Sequence, residues 1–180
     1  ADQGYESRPY HLDDNTVSNN PGGATVAPDI IVVYMGVNDA GGTAGSFEAI
    51  DFSTLITENN GAYQYATPGN FAEAYAVMIH KIKTTYPNAE LFLCNLPETP
   101  AKWSRPVENH NPVIAKIAKY FGAHLVDFYS SKMSGAIEYL KYALDDEGKT
   151  TTLPAGSLHP NAAGFDVMTE TLIAAMKKVY

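Results

Sequence analysis

The chain has 180 residues, 45% of them hydrophobic, and a formal net charge of −8, which suits one domain with a sizeable core. Acidic residues outnumber Lys and Arg by 20 to 12, which argues against a nucleic-acid surface, since that needs clustered cations, and disfavours an anionic partner. The single cysteine, Cys94, can form no internal disulfide and reads as a small buried hydrophobe, and no run approaches the roughly 18 apolar residues that cross a membrane.

In chain order, residues 1–27 are rich in Ser, Asn, Asp, Gly and Pro without apolar periodicity and read as an irregular N-terminal arm. They contain neither the basic nor the apolar region of a leader peptide. A domain over 28–180 follows. Its first element, Ile30-Ile31-Val32-Val33-Tyr34-Met35, is an apolar, β-branched run after Pro28-Asp29 and reads as a strand buried on both faces and stopped by Gly36. The small residues of 40–45 suit a loop, and 47–66 reads as a polar and aromatic insertion over the carboxyl-end face. Thr67 is the expected cap of a helix with Pro68 in its first turn and Phe71, Tyr75, Met78, Ile79 and Ile82 on one face, ending before Pro87.

A second buried strand is expected over 89–96, then a loop over 97–106 carrying Trp103. A helix with Ile114, Ile117, Ala118 and Phe121 on its apolar face begins or kinks at Pro112 and stops at Gly122. A third strand covers 124–128, and 130–158 is a long connection with one short helical piece. The last helix is expected to start at Pro160, with Phe165, Met168, Leu172, Ile173, Met176 and Val179 as its stripe. Alternating strands and helices predict right-handed βαβ units, hence a parallel sheet with helices on both faces.

Two short stretches have the composition of a reactive site. Gly36-Val37-Asn38-Asp39 leaves the first strand where an open α/β sheet collects its polar groups, and an Asn amide there can donate to a developing oxyanion; Asn and Asp are equally ordinary turn residues. Ser157-Leu158-His159-Pro160-Asn161 sets a His directly before a helix, where its imidazole can serve as a general base or simply cap the helix. His11, His80, His110 and His124 carry no assigned role. Tyr63, Tyr65 and Trp103 fit either a sugar or acyl platform or plain surface packing.

Taken together, the Ile/Val-rich strand ending in Gly36-x-Asn38-Asp39 and the His159-Pro160 that leads into the final helix resemble the SGNH (GDSL) hydrolase superfamily of esterases, lipases and carbohydrate deacetylases. The resemblance covers about 28–180. It implies a flavodoxin-like three-layer α/β/α sandwich in which the three strands correspond to strands 3 to 5 of the order 2-1-3-4-5, the first strands being missing from this chain. It implies His159 as base, Asn38 in the oxyanion hole with Gly36 and Asp39 around it, no metal and no cofactor, and an ester or acylated carbohydrate as substrate.

The sequence departs from the family pattern in two places. The position three before the His, where the family has an Asp, is Gly156, so a main-chain carbonyl, Asp145 or Asp146 would have to orient the imidazole. No Gly-Asp-Ser occurs anywhere in the chain, so the expected nucleophile lies on an N-terminal segment or a separate chain. Ser46, in a loop, lacks the strand-to-helix turn that holds a nucleophile rigidly. The other reading is a non-catalytic binding module on the same sheet. Few lysines beside many Tyr and Asn lean toward an extracytoplasmic or secreted protein.

Overall fold

A computed structural model describes residues 27–98, 107–136, 139–140 and 160–180. Strands β1 (Ile30–Val33), β4 (Glu90–Cys94) and β5 (His124–Val126) form a parallel sheet in the order β1-β4-β5, with Ile30 opposite Glu90 and Phe92 opposite His124. Between β1 and β4 lie a one-turn helix α1 (Phe52–Leu55), an antiparallel hairpin β2 (Ile56–Asn59) and β3 (Ala62–Tyr65), and helix α2 (Phe71–Thr85). Helix α3 (Asn111–Tyr120) joins β4 to β5, and α4 (Ala162–Met176) closes the described chain.

The sheet separates two cores. Leu91 and Leu93 of β4 pack with Val33 against Phe71, Tyr75, Ile79 and Ile82 of α2 and Ile114 and Ile117 of α3. Phe92 and Cys94, on the opposite pleat, meet Val126, Phe128 and the Met168, Leu172 and Met176 stripe of α4. The continuous apolar run of β4 follows from this position: it has a neighbour on each side and helices above and below. The result is the expected three-layer α/β/α sandwich.

β1 corrects the expectation of a strand buried on both faces. Val33 faces α2 and is buried, but Ile30 and Val32 are 40% and 41% exposed and Met35 is 57% exposed. Among the described residues, nothing pairs with the side of β1 away from β4, and α4 packs over β4 and β5 rather than over β1.

Helix boundaries also shift for local reasons. α2 is capped by Asn70, not Thr67: Oδ1 of Asn70 accepts from Glu73 N at 3.1 Å, and Glu73 Oε2 reaches back to Gly69 N at 2.7 Å, a reciprocal capping arrangement that leaves Pro68 outside the helix. α4 begins at Ala162 because the Asn161 side chain accepts from Gly164 N at 2.9 Å, so Pro160 precedes the cap. Pro112 does sit in the first turn of α3, and Gly122, with φ +65°, supplies the left-handed stop after it.

The hairpin was hidden in what composition reads as an irregular insertion. Asn60 and Gly61 have φ of 53° and 79°, the left-handed pair that a tight two-residue hairpin turn requires. It docks on α2 through His80, whose Nδ1 lies 3.1 Å from the Tyr65 hydroxyl and whose ring meets Tyr63 edge-on at 4.6 Å. Tyr63 and Tyr65 are therefore engaged in packing, and partial burial pulls the His80 pKa below its ordinary value.

The end of β4 is fixed by a buried side chain standing in for a strand. Asn111 donates to Leu96 O and accepts from Leu96 N, both at 2.8 Å. Replacing Asn111 by Leu strands two buried main-chain groups, and urea unfolding is expected to show a loss of about 2–4 kcal/mol; a loss within error of zero would show that this clasp holds nothing.

Candidate active site

Gly36, three residues beyond the end of β1, has φ +120°, a conformation closed to most side chains. A Cβ there would sit 3.0 Å from the Phe71 ring and 3.4 Å from Leu96 Cδ1, so both the backbone angle and the space demand glycine. Its carbonyl accepts from Asp39 N and Ala40 N, both at 3.0 Å, and Gly42 N donates to Asp39 O at 2.7 Å. These bonds fold Asn38 and Asp39 into a tight turn held down by the fully buried Ala40, with both polar side chains exposed on the carboxyl-end rim of the sheet.

The loop after this turn is laced to the start of α2. Phe71 N donates to Thr43 O at 3.1 Å and Ala72 N to Ala44 O at 2.9 Å, while Asn70 serves Glu73 N through its side chain and Ala74 N through its carbonyl. Phe71, Ala72 and Glu73 N–H, three of the four that a helix start leaves without an internal partner, are thereby satisfied, and Ala74 N opens the helical ladder on Asn70 O. Gly45, at φ +68°, lies so close to Asn70 that any Cβ would collide with its Oδ1. A shallow hollow of about 370 Å³ remains between turn and helix, bordered by Asn38, Asp39, Thr43, Pro68, Asn70 and Ala74.

Phe71 is itself wedged from behind. Its ring lies 4.6 Å from that of His110 and 5.2 Å from that of Tyr75. His110 is fully buried, and neither ring nitrogen has a hydrogen-bond partner; the Tyr75 hydroxyl is in the same position, its pKa raised by burial and by Cys94 nearby. Sequence reasoning gave His110 no role and saw Phe71 only as part of an apolar stripe. No periodicity reveals that a ring supports a glycine thirty-five positions earlier.

Further along the rim, Asn95 joins the ends of β4 and β5, donating to Asp127 Oδ1 at 2.7 Å and accepting from Tyr129 N at 2.8 Å, while Ser130 N donates to Asp127 at 3.1 Å. Burial disfavours ionisation of Asp127, but the Ser130 and Asn95 hydrogen bonds outweigh it and hold the carboxyl below its ordinary range. Cys94 is buried and its thiol is pushed up to about 12, which leaves it inert at neutral pH.

His159 lies outside the described residues, as do Trp103, Asp145, Asp146, Gly156 and Ser157. Its neighbours on the helix side are described. Pro160 bridges to Leu140, Asn161 N donates to Tyr139 O at 2.9 Å, and Asn161 Nδ2 donates to Leu140 O at 3.3 Å. The same connection is tied to the loop after β4, where Glu98 N donates to the Ser134 hydroxyl at 2.7 Å and Gly135 N to Glu98 O at 2.8 Å. Ser46 is exposed and opens a short 3-10 turn in the loop after Gly45, not a strand-to-helix turn. Among the described residues there is no cluster of His, Cys, Asp and Glu able to hold a metal ion, and no helix is long and apolar enough to cross a membrane.

The family model of GDSL-like lipase/acylhydrolase matches the chain over residues 6–167. Solved structures with a similar fold include a candidate lipase from Chitinophaga pinensis (16% identity, 84% of this chain and 73% of that one, TM-score 0.57). A candidate GDSL-like lipase from Parabacteroides merdae (18%, 83% and 60%, 0.51) and TesA (18%, 86% and 65%, 0.50) are also similar. The chain thus spans under two thirds of the length of two of these relatives. No curated protein sequence matches it.

Two expectations follow. Gly36→Ala costs about 1–3 kcal/mol through its backbone angle and more through overlap with Phe71, so in a thermal-unfolding cycle Gly36→Ala with Phe71→Leu loses less than the sum of the two single changes; strict additivity would show that the ring does not crowd Gly36. Asp127 has a folded pKa below its unfolded one, so its stabilisation is present above the unfolded value and is lost as pH falls through the folded value. Asp127→Asn is expected to flatten the acid side of the stability–pH curve, and an unchanged slope refutes the assignment.

Proposed function

We propose that the chain, which belongs to the GDSL-like lipase/acylhydrolase family, carries the oxyanion and base portion of a serine ester hydrolase, with Asn38 as oxyanion donor, Gly36 and Asp39 shaping its turn, and His159 as general base. In this reading a serine Oγ attacks the ester carbonyl while His159 takes its proton. The carbonyl oxygen, now an anion, is met by the Asn38 amide, and the alcohol departs with the proton returned by His159. Water then enters by the same route and releases the acid.

The observation that carries this reading is the glycine-enforced turn at the end of β1, which holds Asn38 on the rim by main-chain hydrogen bonds and a buried ring. An oxyanion donor has to be fixed before the charge develops, and this turn is fixed. The serine is proposed to lie outside this sequence, on a strand that adds to the side of β1 away from β4, supplied by an N-terminal segment or a second chain. That flank of β1 is unpaired among the described residues, and an apolar strand edge left open invites pairing, which supports that position.

Intact mass is the direct test. The native gene product treated with a fluorophosphonate is expected to gain one adduct, on a serine absent from these 180 residues, and His159→Ala to abolish it. Asn38→Ala should lower kcat by about 100-fold to 1,000-fold with KM little changed. An adduct on a serine of this chain overturns the external nucleophile, and no adduct at all turns the reading to a non-catalytic binding module.

A further inference from the structure

The hollow beside Asn38 has a composition that bears on what the ester is made of. Its volume of about 370 Å³ falls in the usual range of small-molecule sites, about 300–1,000 Å³. Its rim offers the Asp39 carboxyl, the Thr43 hydroxyl and the amide of Asn70, whose Oδ1 is committed to Glu73 N, so that the NH₂ is the group presented to a ligand. Its floor is apolar but small: Pro68, Ala74 and the edge of the largely buried Phe71.

An alkyl chain laid there would cover several polar groups and satisfy none of them, which is unfavourable for each one desolvated. A ring that carries hydroxyl groups on its edge and C–H groups on its face meets both surfaces. Asp39 accepts from hydroxyls, Asn70 donates to them, Thr43 does either, and Pro68 with Ala74 lies under the C–H face. The backbone beneath is fixed, because Thr43 O and Asn70 O are both engaged by the start of α2, so the hollow needs little ordering on binding.

Resting on the hydrolase reading above, we propose that this hollow is a subsite for the sugar portion of an acylated carbohydrate, with Thr43, Asn70 and Asp39 as its specificity-determining groups.

Binding by this chain requires no nucleophile, so it separates the two readings. The ¹⁵N-labelled chain titrated with methyl 6-O-acetyl-β-D-glucopyranoside is expected to show saturable amide shifts confined to residues 38–45 and 68–74. Thr43→Val should weaken that binding by about fivefold, the equivalent of one uncharged hydrogen bond, and Ala74→Phe, which fills the hollow from an exposed helix position, should remove it, both with the remaining spectrum unchanged. Absent shifts with the acetylated sugar, or larger shifts at the same residues with monomeric decanoyl glycerol, overturn the sugar subsite. A fluorophosphonate adduct on the native product together with absent sugar shifts would leave the hydrolase reading standing and sink this one; sugar shifts without any adduct would do the reverse.

Discussion

The contact between the Phe71 ring and the bare Cα of Gly36 organises the rim of this molecule. It joins the end of a strand to the first turn of the helix that returns from it, and each side imposes a requirement on the other. The strand must stop in a left-handed conformation without a side chain, and the helix must begin at Asn70 so that its first residue delivers a ring to that point. The loop between them then has little freedom, because its carbonyls at Thr43 and Ala44 are taken by the same helix start. Asn38 stands on this base.

That arrangement explains how the three parallel strands among the described residues present an ordered polar rim. Rigidity here comes from the acceptors bound at the α2 N-terminus and from the Asn111 clasp on Leu96, both of which close main-chain groups that would otherwise need solvent. The family relationship and the fold agree with this, since sandwiches of this kind gather function at the carboxyl ends of their strands. The proposed chemistry asks of the scaffold only a donor that does not move and a base close to it.

Much of this was legible in the amino-acid order. The uninterrupted apolar run of β4 and the stripes of α2 and α3 declare their partners by period, whereas in α4 Phe165 and Ile173 of the expected stripe face solvent; the resemblance carried by Gly36-x-Asn38-Asp39 and His159-Pro160 agrees with the family that the chain matches. The misreadings have physical causes. Thr67 and Pro68 are good local cap signals, but the reciprocal Asn70 and Glu73 pair wins because it also lets Phe71 reach Gly36. Asn60-Gly61 is a hairpin signal that was overlooked amid polar neighbours. His110 was invisible because a buried imidazole without hydrogen bonds contradicts the rule by which polar residues are placed. The exposure of Ile30 and Val32 was beyond reach because strand composition does not say whether a neighbour is present.

β1 itself leads to a different kind of consequence. Among the described residues one flank of β1 is unpaired and two of its four residues are half in solvent, so its amide hydrogens are expected to exchange ahead of those of the central strand β4. The turn that bears Asn38 is therefore tied at one end to an edge strand of the described sheet and at the other to the start of α2. Fraying of β1 would therefore begin at Ile30, the end of the strand far from Gly36, and leave the Asn38 turn held by the start of α2.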